Sequence, residues 1–255
     1  MKSTYLIFAA VVFSSLMTPS HGEDNFSLWP RRPDALEQAR RLMKEQKGGE
    51  AVLLLQPYVT DEGIAGREAR AICGRVNVPR YLSRQHPGAV VYTVRSGDNM
   101  ARIAAQQKCP QDVIMLLNGI VDPSSLRIGQ KIVVVPMRLR VEIRPQQREI
   151  SVWDDEQLVA DYPILSMDEI PAAQRKNEVT SVAAREGYID GLAVLPRSPQ
   201  YAASERVLVL ANGISIAGEK NGHGDTVLRL EQKDVNELAL MLGPGNEVKM
   251  IYSSR

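Results

Sequence analysis

Apolar positions change their period twice along this 255-residue chain. Between Asp34 and Gln85 they recur at helical spacing. Ala35, Leu36, Ala39, Leu42 and Met43 form one stripe, Arg40, Arg41, Lys44 and Glu45 fill much of the rest, and Asp34 after Pro33 supplies an N-cap. Gly48-Gly49 is expected to end that helix. Two more apolar faces follow, one in residues 50–59 (Ala51, Leu54, Leu55, Tyr58) and one in residues 62–76 (Ile64, Ala65, Ala69, Ile72, Cys73, Val76). From residue 91 the pattern alternates as a strand to Val94 and turns at Ser96-Gly97-Asp98. It then gives two short amphipathic helices and closes on a strand from Lys131 to Val135, a βααβ unit. From Arg138 to the end, period-two alternation dominates: Leu139, Val141 and Ile143, then Ile150 and Val152, then residues 157–164. Further strands are expected at residues 187–195, 207–210, 213–217, 227–230 and 248–252, with one helix at about 233–242.

The pattern predicts an α+β multidomain chain: a helical hairpin region at 23–87, a βααβ domain at 88–137 and a mostly-β domain at 138–255. Residues 1–22 precede them with Lys2, an apolar run from Tyr5 to Met17, then Thr18-Pro19 and small residues, which is a signal-peptide pattern. The run is too short to span a bilayer, and no later stretch is long enough, so an exported protein, periplasmic or associated with the cell wall, is expected. A net charge of +1 gives no electrostatic argument for nucleic acid or an anionic membrane as partner. Cys73 and Cys109 are the only cysteines. In an oxidising compartment they are able to pair, but each sits in a helical apolar pattern and reads best as a small core residue. With no CxxC and no HExxH, neither a metal site nor another cofactor is expected.

The two helices flanking Gly-Gly resemble one tetratricopeptide-type hairpin, which suggests a surface for a partner such as a cell-wall enzyme. The stretch VYTVRSGDNMARIAAQQKCPQDVIMLLNGIVDPSSLRIGQKIVVVP, residues 91–136, resembles a LysM domain: YTVRSGD, LLNG and DPSSLRIGQKIVVVP fall in that family's order and spacing. The resemblance implies binding of N-acetylglucosamine-containing glycan, as in peptidoglycan strands, by two loops, Ser96, Gly97, Asp98, Asn99 and Met100 in the first and Leu117, Asn118, Gly119 and Ile120 in the second. Exposed main-chain N–H and C=O suit an acetamido group, and Met100 or Ile120 would supply an apolar floor. Asp98 is also the expected N-cap of the first helix of the unit. Asn99 stands where the family usually has Thr or Ser, and Ala101 where a large residue is common.

Residues 138–255 are similar to an L,D-transpeptidase domain. LRVEIRPQQREISVWDDEQLVADYPI resembles that family's opening strands, and GISIAGE with VLRLEQKDVNELALMLGPGNEVKMI its ending. The family forms a thioester on a cysteine activated by a histidine. Here the histidine position falls on Ala217 and the cysteine position on Val227 or Asp225, while Arg229 is retained. The spacer from Ala217 to Val227 is short for the family, and Thr180-Ser181-Val182-Ala183 replaces a turn expected there. Loss of such a pair removes on the order of 10⁶ in rate. The chain therefore reads as a secreted peptidoglycan-binding protein with a non-catalytic transpeptidase-like module. The alternatives are a residual or altered peptidoglycan enzyme, for which Ser215, His223 and Asp225 are the nearest triad-like set, and a regulator of an active paralogue.

Overall fold

The computed structural model describes residues 32–195, 198–222, 224 and 226–252; the signal-peptide pattern lies outside them. The protein is α+β, with six helices and a large, mostly antiparallel sheet among the described residues. Three helices come first: α1 (Arg32–Lys44), α2 (Gly48–Leu55) and α3 (Gly63–Tyr81). The glycine pair does not stop α1. Gln46 does, at φ 61°, with the Lys47 N–H bonded back to the Leu42 carbonyl at 2.9 Å. This is a left-handed C-terminal stop made by a glutamine. Gly48 instead opens α2, where a Cβ would lie 3.0 Å from Val76 of α3, so the bare backbone lets the two helices close.

The βααβ unit follows as β1 (Val90–Thr93), α4 (Met100–Gln107), α5 (Gln111–Asn118) and β2 (Lys131–Val134), with β1 antiparallel to β2. The large sheet is built from β3 (Leu139–Arg144), β4 (Glu149–Asp154), β5 (Gln157–Pro163), β6 (Ser166–Met167), β7 (Glu178–Ile189), β8 (Leu192–Val194), β9 (Glu205–Leu210), β10 (Ile214–Ala217), β11 (Thr226–Arg229) and β12 (Glu247–Met250). Its order is β5-β4-β3-β12-β7-β9-β10-β11-β6, with β8 hydrogen-bonded to β7. Only β3 with β12 and β10 with β11 run parallel. The last helix, α6 (Gln232–Met241), buries Val235, Leu238, Ala239 and Met241.

One expectation for this region changes. Residues 180–183, which stand where the resemblance would place a turn, lie inside the twelve-residue β7, which pairs first with β12 and then with β9. Residues 187–195 are not one strand but a hairpin, because Asp190 (φ 50°) and Gly191 (φ 77°) both take the positive φ of a tight two-residue turn.

The helical region is bound to the sheet through buried charge. Arg70 of α3 and Glu149 of β4 are each 1% exposed and pair at 2.5 Å, and the same guanidinium donates to the carbonyls of Val59 and Asp61, both at 2.9 Å. Asn77 donates to the Leu158 carbonyl at 2.7 Å, and a Cβ on Gly74 would meet the Asp161 main-chain nitrogen at 2.7 Å, so α3 lies directly on β5. Burial, and secondly the neighbouring Glu149 carboxylate, push Asp161 up to about 7. The folded state thus holds that proton more tightly than the unfolded chain. This group's contribution to stability falls as pH rises from the ordinary carboxylate range through about 7. One continuous apolar cluster joins Ile103 and Leu117 of the βααβ unit to Val141, Leu208 and Leu238, and Arg185 of β7 bonds Asp112 of α5 and the Ala239 carbonyl, each at 2.7 Å.

Cys73 and Cys109 are free and buried. Burial raises their thiols to about 12 and 11 respectively, so both behave as the small apolar residues expected from their patterns.

Candidate functional site

The loop between β1 and α4 is shaped by side chains that bond their own backbone. Asp98 accepts from the Arg95 N–H and from the Tyr92 hydroxyl, both at 2.7 Å. These two donors, with Arg95 and Arg102 nearby, hold its carboxyl below the usual carboxylate range. It does not cap α4. Asn99 does, its Oδ1 accepting the Arg102 N–H at 2.8 Å, so the residue standing in place of Thr or Ser does the same work one position later than expected. Arg102 then donates to the Gly97 carbonyl at 2.7 Å, and Gly97 takes φ 82°. What remains outward is Ser96, Gly97 and Asn99, all exposed, with Asp98 half-buried. Met100 is 2% exposed and belongs to the core under the loop, not to its surface.

The second loop follows α5. Asn118 Nδ2 donates to the carbonyls of Ile114 (2.8 Å) and Val133 (2.7 Å), while its Oδ1 accepts the Val133 N–H at 2.8 Å. Both ends of the amide are therefore engaged, and its role is to tie α5 to β2. Gly119 turns the chain at φ 63° and is exposed, Ile120 is half-buried with its N–H on the Met115 carbonyl at 2.9 Å, and Leu117 is buried. The surface offered by these two loops is main chain, held by polar side chains, with Ile120 as its apolar component.

The other candidate lies at β10 and β11, which run parallel with Ala217 opposite Arg229. Ala217 (0% exposed) and Val227 (3%) pack with Val207 in a small apolar cluster lined by Tyr188 and Val209. The connection closes over them: a Cβ on Gly222, at φ 116°, would lie 2.9 Å from the Ala217 methyl and 2.8 Å from Val227 Cγ1. The connection packs directly against both Ala217 and Val227. Asp225 and His223 lie outside the described residues, and Ser215 is fully buried. Arg229 donates from Nη1 to the carbonyls of Gly218, Glu219 and Asn221 at 3.0–3.2 Å, which fastens this same connection. It lines a shallow cleft of about 460 Å³ with Glu205, Glu219, Lys220 and Glu231.

Among the described residues no cluster of His, Cys, Asp and Glu suits a metal ion, and no helix is long and apolar enough to cross a membrane. Sequence reasoning passed over Arg70 and Arg206. Each had a signal, since Arg70 falls on the apolar stripe of its helix with Gly66 and Cys73, and Arg206 alternates with Leu208 and Leu210 on a core-facing side. Residues 92–135 match the model of the LysM domain family. The match covers both loops, and it supports binding of peptidoglycan- or chitin-type glycan at this unit.

Proposed function

We propose that this chain is an exported cell-wall protein. Its LysM domain grips the N-acetylglucosamine-containing strands of peptidoglycan through residues 96–99 and 118–120, and its sheet domain is a transpeptidase-like module without that family's chemistry. The observation that carries the glycan reading is the pair of loops in which Asp98, Asn99 and Asn118 hold the backbone in place while Ser96, Gly97 and Gly119 stay open to solvent. A preformed surface loses little conformational freedom on binding, which suits a weak site repeated along a polymer. The filled volume between Ala217 and Val227 supports the non-catalytic part. The N-terminal signal pattern supports export.

Sedimentation of the full chain with insoluble peptidoglycan tests the reading. Retention competed by N-acetylglucosamine oligomers but not by glucose oligomers is expected, with a several-fold loss in Ile120→Asp. Retention unaffected by either the oligomers or Ile120→Asp refutes the assignment to these loops.

A further inference from the structure

A buried cation lies at the junction of the LysM domain and the sheet. Arg206 of β9 is 8% exposed, and its Nη1 has no hydrogen-bond partner among the described residues. The surroundings hold it firmly. Its N–H bonds Asn236 Oδ1 at 2.9 Å, its carbonyl accepts Gln232 Nε2 at 3.2 Å, and its guanidinium carbon lies 3.6 Å from the centre of the Tyr201 ring. Tyr201 in turn fits because residue 187 is glycine, where a Cβ would come 2.7 Å from that ring. The stack covers a flat face of the cation and leaves the Nη1 donor on its edge without a partner among the described residues, a costly arrangement in a buried place.

The side chain lines a cleft of about 340 Å³ between β9, α6 and the first turn of α5, with Lys233, Asn236, Glu237 and Asp112 on its walls. The two acids are already engaged, Asp112 by Arg185 at 2.7 Å and Glu237 by the Tyr162 hydroxyl at 2.8 Å. We infer that this cleft binds a compact carboxylate, such as the free C-terminus of a peptide, on the guanidinium edge of Arg206 with Lys233 at the rim. A planar two-oxygen acceptor matches the fork of a guanidinium. The two carboxylates on the walls disfavour a dianion such as phosphate and leave a monoanion as the better fit. Asp112 sits at the opposite end of α5 from the Asn118 loop, about 9 Å away along the helix axis. The site thus stands apart from the glycan loops and does not depend on them.

The test is a titration of the full ¹⁵N-labelled chain, following the Arg206 Nε–Hε resonance. The probes are N-acetyl-alanyl-alanine, its C-terminal amide and inorganic phosphate. The expected result is a saturable shift with the free acid, at least tenfold weaker binding of the amide and of phosphate, and about tenfold weaker binding of the acid by Arg206→Lys. The acid should also raise the melting temperature of the wild-type chain but not of that variant. An unsaturable shift, an equal response to the amide, tighter binding of phosphate, or the same shift at exposed arginines such as Arg127 overturns the assignment.

Discussion

The LysM loops and the β10–β11 connection are both closed by a glycine at positive φ, Gly119 in one and Gly222 in the other, yet they end in opposite states. Around Gly119 nothing lies within 4 Å of where a Cβ would be, and the polar side chains nearby have turned onto the chain's own backbone. Around Gly222 the space is taken by Ala217 and Val227. A surface that recognises through main chain survives side-chain replacement as long as some residue holds the turns, as Asn99 does for α4. On the proposed transpeptidase-like reading, a site that works through two particular side chains is lost when a methyl and an isopropyl group stand in their place.

The largest effect expected from testing this contrast comes from placing a histidine and a cysteine at Ala217 and Val227, the positions that the proposed transpeptidase-like reading assigns to them. Ala217→His combined with Val227→Cys places an imidazole where a methyl is fully buried under Gly222, and overpacking with an unsatisfied ring nitrogen should destabilise by about 3–5 kcal/mol. Urea unfolding measures this, and incubation with a tetrapeptide donor followed by mass spectrometry should show neither cross-links nor hydrolysis. A stable double variant that turns the donor over would overturn the reading of this packed connection as closed to chemistry.

Next in size is the comparison of the two glycines themselves. Gly222→Ala adds a methyl within 3 Å of two buried side chains at a strained φ, for an expected loss of about 2–4 kcal/mol. Gly119→Ala meets open space and should lose about 1 kcal/mol from its left-handed backbone alone. Paired denaturation curves decide it, and equal losses would erase the distinction between a closed and an open connection.

How much of this was readable in advance follows from the range of the forces involved. Period and turn chemistry are local, so the βααβ unit, most strands of the sheet and α6 appear in the sequence within a residue or two. The Asp190-Gly191 turn is equally local, an Asp-Gly pair set between two apolar stretches that together read as one strand. Long-range choices were not readable. Asp98 and Asn99 are both good caps, and the pull of the Arg95 N–H and Tyr92 hydroxyl on Asp98 leaves the cap to Asn99. The engagement of Asn118 depends on β2, fifteen residues later. The pairing of Arg70 with Glu149 crosses seventy-nine positions. At the candidate sites the residue types were therefore legible, but which of them face solvent was not, as buried Met100 shows.

Asn118→Ala probes the open side of the comparison directly. It removes the one donated and one accepted bond to Val133 that join α5 to β2, and a second donated bond within α5 to the Ile114 carbonyl, stranding the Val133 N–H, for an expected loss of about 2 kcal/mol. Retention on peptidoglycan should fall with it although the side chain itself has no free polar end. Loss of retention with unchanged stability would instead make Asn118 a glycan contact.

The smallest effect is a pH dependence confined to one of the two regions. Asp98 is held below its ordinary range by the Arg95 N–H first and the Tyr92 hydroxyl second, so it gives up its proton more readily in the folded loop than in the unfolded chain. The stabilisation is complete above the unfolded carboxylate value near 4 and drains away as pH falls through the lower folded value. Amide exchange at Arg95 and Asp98 should therefore quicken, after correction for intrinsic rates, as pH drops from about 5 to 3, with peptidoglycan retention falling alongside. The side chains of Val207, Ala217 and Val227 do not titrate and the bordering Tyr188 is raised to about 12, but the Val227 N–H donates to the Asp168 carboxylate at 3.0 Å, so the amide to follow here is Leu230, which donates to the Ala217 carbonyl at 3.0 Å and whose protection should not change over that range. Asp98→Asn should flatten the response in the first region while leaving the second as it was. A protection profile that moved equally in both would mean that the two sites respond to acid as one body.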